Sequence, residues 1–360
     1  MAVAANLSFM SQFGVTICLA VSLKAMWNLM HVMQVMAFLR LLIDMPANSN
    51  MMLQSMHNAI TLDNVMNSLY ESVMPEFSDP EEEEYKEELK DSDIPYENIY
   101  LSLGIFGLVF VILLLAVCVY FLLKCMSVRM RCCAAILATL KAKLFYNAWV
   151  RYMIESNLKV TSDSFFYLFV NTDYNSFDKK IQSAIRIVIV AILIIWPLFV
   201  IGFLHWRRSE LENEEFKKKF ISMYVGIKIK KMSSLMYTSV FCFRRLLLVL
   251  AFVVFGKNVV FVIVAYNVIS TFYFWYMTSV VPHEENIHNR LEYFDELCLI
   301  LILYMMTFFL AGSDLDPMLQ WDIGSFVMGI VFTVFVVHVI ALIYLTIVRF
   351  IFWCRVRKAR

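Results

Sequence analysis

Glycine is scarce in this sequence: the 360 residues contain only nine glycines, and these are scattered. The sequence has no GxSxG, GxGxxG or P-loop pattern, so it lacks the glycine-dependent signatures of hydrolases and nucleotide-binding proteins. It also lacks a periodic arginine voltage sensor and a TVGYG-like selectivity filter. We therefore expect a protein that is not an enzyme and that uses no cofactor, metal ion or nucleic acid.

Charge is scarce as well. Charged residues make up 17% of the chain and apolar residues 61%, against roughly 25% and 45–50% in a soluble domain. Apolar runs of about 20 residues, the length that crosses a hydrocarbon core, recur along the chain. The composition predicts an integral membrane protein.

The runs predict an all-α, polytopic bundle, since the ten-residue alternation of barrel strands is absent. About eight spans are expected, at 14–43, 101–123, 144–170, 181–204, 233–255, 259–281, 291–311 and 324–352. The first run would be about 45 Å long as one helix, so residues 1–43 form either one tilted span or a two-helix hairpin. The bundle proper is expected over residues 101–354.

Basic residues orient the bundle. The segments 124–143 and 205–232 and the tail 355–360 are rich in lysine and arginine, which places them in the cytosol by the positive-inside rule. Both termini are then cytosolic. Six lysines of the second segment are expected to contact anionic lipid of the inner leaflet: Lys217, Lys218, Lys219, Lys228, Lys230 and Lys231.

The long polar segment, residues 44–100, is expected outside the cytosol. It lacks cysteine, which excludes a disulfide framework there. Its part 75–97 carries eleven acidic residues and two lysines, a net charge of −9. Such a block repels itself and stays solvated; its functional alternative is a vestibule that attracts cations.

The third predicted span is the most highly charged. Arg151, Glu155, Lys159 and Asp163 follow one another at i,i+4 spacing, so on a helix they share a face and can pair. Ionisable side chains at membrane depth are expensive unless they face protein or water. The stripe predicts either a polar pathway for an ion or an ion-pair ladder that holds this helix against a neighbour.

Acidic residues also cluster at the start of the seventh span. Glu292, Asp295 and Glu296 share one helical face and are suited to accept Arg244 and Arg245 of the fifth span, since arginine pairs well with carboxylates. This interpretation is a clasp between helices. The alternative is a divalent-cation site, which needs several oxygen ligands.

The first span contains two ionisable side chains, Lys24 and His31, seven residues apart on one face. An intramembrane histidine is usually hydrogen-bonded between helices, and a lysine near a span end extends its amine towards water. A proton- or lipid-handling transporter would depend on this pair.

Several stretches resemble the C-terminal membrane region of ciliate cysteine-rich surface proteins, which is distantly similar to the TRP-like (fungal flavin-carrier and polycystin-like) membrane domain. The matching stretches are, in the same order, SLKAMWNLMHVMQVMAFL, MPAN, FYNAWVRYMIES, KKFISMYVGIKIKKMSSLMYTSVFCFRRLLL and RLEYFDELCLILILYMM. The resemblance implies a multi-span bundle of the plasma membrane or an endomembrane, rather than of the mitochondrial inner membrane, and a TRP-like cation channel. The sequence departs from these proteins in lacking their cysteine-rich ectodomain.

We therefore expect a cation channel or a channel subunit, either a homo-oligomer or associated with other membrane subunits. The alternative is a non-transporting scaffold or a subunit of a larger membrane complex.

Overall fold

The computed structural model describes residues 28–29, 31–36, 39, 45–61, 99–127, 143–170, 177–256, 258–310 and 316–358. Within these ranges the chain is helical, and its only β-type pairing is an isolated bridge between Ile227 and His283. The all-α prediction is therefore confirmed for the described part of the chain. The α-helices are α1 (Ala47–Thr61), α2 (Ile99–Ser127), α3 (Trp149–Glu155), α4 (Asn157–Val170), α5 (Phe177–Trp206), α6 (Glu214–Phe220), α7 (Met232–Leu235), α8 (Tyr237–Phe255), α9 (Val259–Val280), α10 (Asn286–Leu310) and α11 (Pro317–Lys358).

Five helical segments are long and apolar enough to cross a membrane. They are Lys179–Trp206 of α5, all of α8, α9 and α10, and Pro317–Phe352 of α11. Each overlaps one of the last five predicted spans. The chain is therefore a membrane protein by the length and composition of its helices. The total of eight spans and the cytosolic termini stay predictions.

The other three predicted spans differ from these five. The span 101–123 lies in α2, whose described apolar stretch is the shorter Val109–Cys125. The span 144–170 is helical but polar and charged, and 14–43 falls mostly outside the described residues. Helix α1 lies within segment 44–100, whereas the acidic run 75–97 and the basic residues 128–142 are not described.

The chain divides into two compact units. Residues 61–285 form the first, and residues 1–60 together with 286–360 form the second. In the unit 61–285, α4 packs against α2, α5 and α8, and α8 packs in turn against α5 and α9. In the other unit, α10 packs along α11. Helix α4 thus lies among the apolar helices of its unit.

The segment 205–232, predicted as a basic loop, folds into an ordered cap of short helices. Helix α6 begins where the Asn213 side chain accepts a hydrogen bond from the Glu215 amide, 2.9 Å away, a common N-cap arrangement. Tyr224 and eight other buried side chains form a hydrophobic core beneath the cap: Val150, Val200, Leu204, Leu211, Phe216, Met223, Ile227 and Leu235. The basic segment is therefore anchored to its unit by apolar contacts.

Two hydrogen bonds tie the cap to the end of α9. Val281 has a left-handed backbone (φ 48°), which ends α9 and is uncommon for a β-branched residue. The chain then runs beside the cap, where the Lys228 amide donates to the Pro282 carbonyl (2.9 Å) and the Glu284 amide to the Gly226 carbonyl (3.0 Å). Gly226 also has a positive φ, 69°, which glycine adopts at little cost.

Helices α1 and α11 meet at Gly324. A Cβ atom at this position would lie 2.6 Å from the Asn48 Oδ1 atom. The side-chain amide of Asn48 also donates from Nδ2 to the Trp321 carbonyl (3.2 Å) and to Ser325 Oγ (3.1 Å). The absence of a side chain at residue 324 therefore makes room for a polar contact between the two helices.

We expect Gly324→Ala to lower the free energy of unfolding by about 1–2 kcal/mol, because Asn48 must rotate away and give up these hydrogen bonds. Thermal unfolding in detergent micelles measures the effect. Gly329→Ala is the matched control on α11, since nothing lies within 4 Å of its Cβ position. Equal melting temperatures for the two variants would contradict the prediction. The prediction would also be contradicted if Gly324→Ala lowered the stability as much in an Asn48→Ala background as it does in the wild type.

Candidate functional site

A buried polar helix

The charged stripe lies on two helices that follow one another almost without interruption. A π-helix, Lys143–Ala148, leads into α3, which ends at Glu155; Ser156 is its C-cap, and α4 begins at the next residue. Both the amide and the hydroxyl of Ser156 donate to the Tyr152 carbonyl, at 2.9 and 2.7 Å. A serine that bonds back to the carbonyl four residues earlier often bends a helix. Residue 156 therefore separates the stripe into two halves.

Every residue from Glu155 to Tyr167 is buried. Most of this stretch is polar, with buried Ser156, Asn157, Lys159, Thr161, Ser162, Asp163 and Ser164. A helix that is buried on all sides is ordinarily apolar. Ionisable groups at such positions in membrane proteins most often mark a functional site. We therefore take the 155–167 stretch as the candidate site of this unit.

The four stripe residues form two ion pairs, one on each side of Ser156. Arg151 Nε lies 3.8 Å from Glu155 Oε1, with side-chain exposures of 42% and 10%. Lys159 Nζ lies 3.4 Å from Asp163 Oδ2, with exposures of 8% and 3%. The structure therefore brings these predicted residues together pairwise, and the deeper pair is the one on α4.

Arg186 of α5 joins the deeper pair. Its guanidinium carbon lies 3.5 Å from the centre of the Tyr167 ring, and its charge interacts with that of Asp163. Only 1% of this arginine is exposed. This arginine was not predicted from the sequence, although a single arginine inside an otherwise apolar run was the available signal. Asp163 is thus attracted to two cations, Lys159 and Arg186.

Arg245 of α8 joins the outer pair. Its Nη1 atom donates to the Ile154 carbonyl at 3.4 Å, and its guanidinium carbon lies 4.3 Å from the Phe241 ring centre. Its charge is attracted to Glu155. A buried arginine therefore contacts α3 at the residue before the stripe carboxylate.

Asn157 and Thr161 are buried polar residues that the sequence analysis also missed. They lie one turn apart, at i,i+4, and both have an exposed fraction of 0%. Among the described residues, the two amide atoms of Asn157 and the Thr161 hydroxyl have no hydrogen-bond partner. Leaving buried polar groups unsatisfied costs about 1–3 kcal/mol each. These two side chains are therefore the groups in α4 best placed to bind water or a polar ligand.

The unit 286–360 contains a second buried polar contact. His338 Nε2 of α11 lies 3.3 Å from Asp295 Oδ2 of α10, with side-chain exposures of 1% and 3%. Glu292 and Glu296 are buried on the same helix. His338 was not predicted, although it is an isolated histidine in a long apolar run.

The clasp between helices stays a prediction. Arg244 and Arg245 belong to the unit 61–285, where Arg244 lies 4.5 Å above the ring centre of Tyr273. The three acidic residues belong to the other unit. Within the described ranges, no group of three His, Cys, Asp or Glu side chains is arranged to hold a metal ion.

The remaining predicted residues have separate positions. Lys24 falls outside the described residues, and His31 is helical and partly buried. Lys228 donates to the Val281 carbonyl at 2.9 Å, and Lys218 lies in α6. The other four lysines predicted to contact lipid are exposed: Lys217, Lys219, Lys230 and Lys231.

Comparisons with known proteins find no match for this chain among protein-family models, curated proteins or solved structures.

Proposed function

We propose that the chain is a TRP-like cation channel or a channel subunit, and that ions pass along the polar side of α3 and α4. The observation that carries the proposal is the unpartnered pair Asn157 and Thr161 inside a helix that is buried on every side. Buried polar groups without protein partners bind water. An ion route through a membrane protein needs such hydrated positions.

The charges along the same helices support this route. Glu155 and Asp163 lie eight residues apart, which is about 12 Å along a helix. Each faces cations, so neither acid is surrounded by apolar groups alone. In low dielectric a fixed charge acts strongly on a passing ion. The carboxylates would favour cations at two depths, and the cations beside them would limit how tightly an ion is held.

The proposal includes the wider arrangement expected from the sequence. About eight spans with cytosolic termini would place the acidic run 75–97 at the extracytosolic mouth, where it would concentrate cations. The resemblance to the TRP-like membrane domain favours the same function.

The test is the conductance of the purified protein in planar bilayers, with calcium and potassium on opposite sides. We expect the wild type to conduct and Glu155→Gln to shift the reversal potential. Thr161→Val keeps the shape of the side chain but removes the hydroxyl. It should lower the conductance about tenfold, equivalent to about 1.4 kcal/mol in the barrier.

Thr333→Val is the matched control, because Thr333 is exposed and its hydroxyl donates to the Gly329 carbonyl of its own helix at 2.7 Å. It should conduct like the wild type. Thr161→Val should melt at or above the wild-type temperature, since no hydrogen bond to another protein group is lost. A silent bilayer with well-folded wild-type protein would overturn the proposal.

A second candidate, a membrane scaffold, is favoured by one observation. The pairs Arg151–Glu155 and Lys159–Asp163 each close within a single helical turn, as a structural ladder would. A scaffold predicts stoichiometric co-purification with other membrane subunits and no current in the bilayer. Conductance by the purified chain alone would contradict it.

A further inference from the structure

The contact between Asp295 and His338 joins helices α10 and α11, which pack along each other. Around it on the same helices lie the buried apolar residues Leu299, Ile302, Val334 and Ala341. Neither member of the pair belongs to the route proposed above, which lies in the unit 61–285. The proposed ion route therefore does not explain why this pair is buried.

Hydrogen bonding fixes which nitrogen of His338 carries a proton. The Nδ1 atom lies 3.0 Å from the Val334 carbonyl oxygen, one turn earlier in α11. A carbonyl oxygen only accepts, so Nδ1 must be the donor. In a neutral imidazole Nε2 is then a bare lone pair, and it faces Asp295 Oδ2 at 3.3 Å.

A bare lone pair opposite an ionised carboxylate is repulsive, since both groups are acceptors. The observed approach is attractive only if a proton lies between them, on Nε2 or on the carboxyl. In either form the pair carries one proton and no net charge. A neutral pair is the form that an apolar interior tolerates.

The ionisable groups near the pair are few in the described residues. Helix α10 contributes buried Glu292, Glu296, His288 and Cys298, of which Cys298 interacts with Asp295, and half-buried Tyr293. On α11 the nearest ionisable side chain is Tyr344, which is exposed. Helix α1 meets α11 at Trp321 and Ser325, about 20 Å from His338 along the axis, and its described part has one ionisable residue, His57. Among the described residues, the ionisable groups nearest to the pair along the chain are therefore those of α10; the described segment 28–39 of the same unit adds His31.

We propose that Asp295 and His338 form a proton-binding site in the unit 286–360, in which one proton is shared between carboxylate and imidazole. Release of that proton leaves two acceptors facing each other and replaces the attraction between α10 and α11 by repulsion. The packing of the two helices is then linked to pH. This proposal is independent of ion conduction by the other unit.

Nitrogen NMR of the full chain in lipid nanodiscs, labelled at histidine with ¹⁵N, tests the proposal between about pH 4 and pH 9, the range in which histidine and carboxyl groups titrate. We expect His338 Nδ1 to stay protonated throughout, while Nε2 loses its proton in a single step. Asp295→Asn should change the midpoint of that step by about one pH unit or more, tenfold in proton affinity. Exposed His205 of α5 is the internal control, and its signals should be the same in both proteins.

Two results would overturn the proposal. One is a wild-type spectrum with a bare Nδ1, which needs no variant and so decides the question even where Asp295→Asn fails to fold. The other is a His338 midpoint that does not change in Asp295→Asn.

Discussion

Asp163→Asn should lower the free energy of unfolding by about 3–5 kcal/mol, the usual cost of breaking a buried ion pair from one side. Asp163 is the acid that faces Lys159 Nζ at 3.4 Å and the charge of Arg186, and it is 3% exposed. Asparagine has nearly the same shape, so packing is kept. The variant leaves two buried cations beside a neutral amide. Denaturation by sodium dodecyl sulfate, starting from mild detergent, measures the loss.

Two further variants separate the cost of leaving buried charges unpaired from the cost of the Asp→Asn substitution itself. Asp322→Asn makes the same change at an exposed position of α11, where surface substitutions usually stay within about 0.5 kcal/mol of wild type. The double variant Lys159→Met/Asp163→Leu removes the pair as a unit and should recover much of the loss, because apolar replacements of buried pairs are often neutral. If Asp163→Asn unfolds like the wild type, Lys159 and Asp163 do not form a stabilising buried ion pair.

A double-mutant cycle adds Arg186 to the comparison. If Arg186 and Asp163 interact across α4 and α5, the combination Arg186→Met/Asp163→Asn should be less destabilised than the sum of the single variants by about 0.5–3 kcal/mol. Additive effects would confine the interaction to Lys159 and Asp163.

The apolar spans were predictable because a bilayer constrains length and composition together. A segment such as Tyr237–Phe255 must be apolar for about the thickness of the hydrocarbon core and must satisfy its backbone internally. Both demands can be read from one stretch of sequence. The pairs Arg151–Glu155 and Lys159–Asp163 were predictable for a similar reason, since i,i+4 contacts are local to a helix.

The partners of the site were harder to predict, because they come from other helices. Arg186 looks like an interruption of an apolar span until α5 is packed against α4, and His338 looks the same until α11 meets α10. Asn157 and Thr161 carry no charge, and only their burial distinguishes them from surface residues. The partners of these residues depend on which helix faces meet, and the periodicity of the sequence does not determine that.

Replacing Arg245 by alanine should lower the free energy of unfolding by about 3–5 kcal/mol. The substitution removes the donor to the Ile154 carbonyl, the cation above Phe241 and a positive charge attracted to Glu155. It also leaves a cavity where a side chain with 1% exposure was packed. Detergent denaturation of Arg245→Ala measures the loss, with Arg290→Ala, an exposed arginine of α10, as the matched control.

Arg245→Lys tells whether charge alone explains the effect. Lysine keeps the positive charge but lacks the planar, forked guanidinium that stacks on a ring while donating to a carbonyl. If charge dominates, Arg245→Lys should unfold like the wild type. We expect a loss about midway between wild type and Arg245→Ala, because lysine keeps the positive charge near Glu155 but loses the planar stacking on Phe241 and the forked donor to the Ile154 carbonyl. A lysine variant as unstable as alanine would mean that Glu155 does not need a positive charge at residue 245, and that Arg245 stabilises the unit by packing and hydrogen bonding alone.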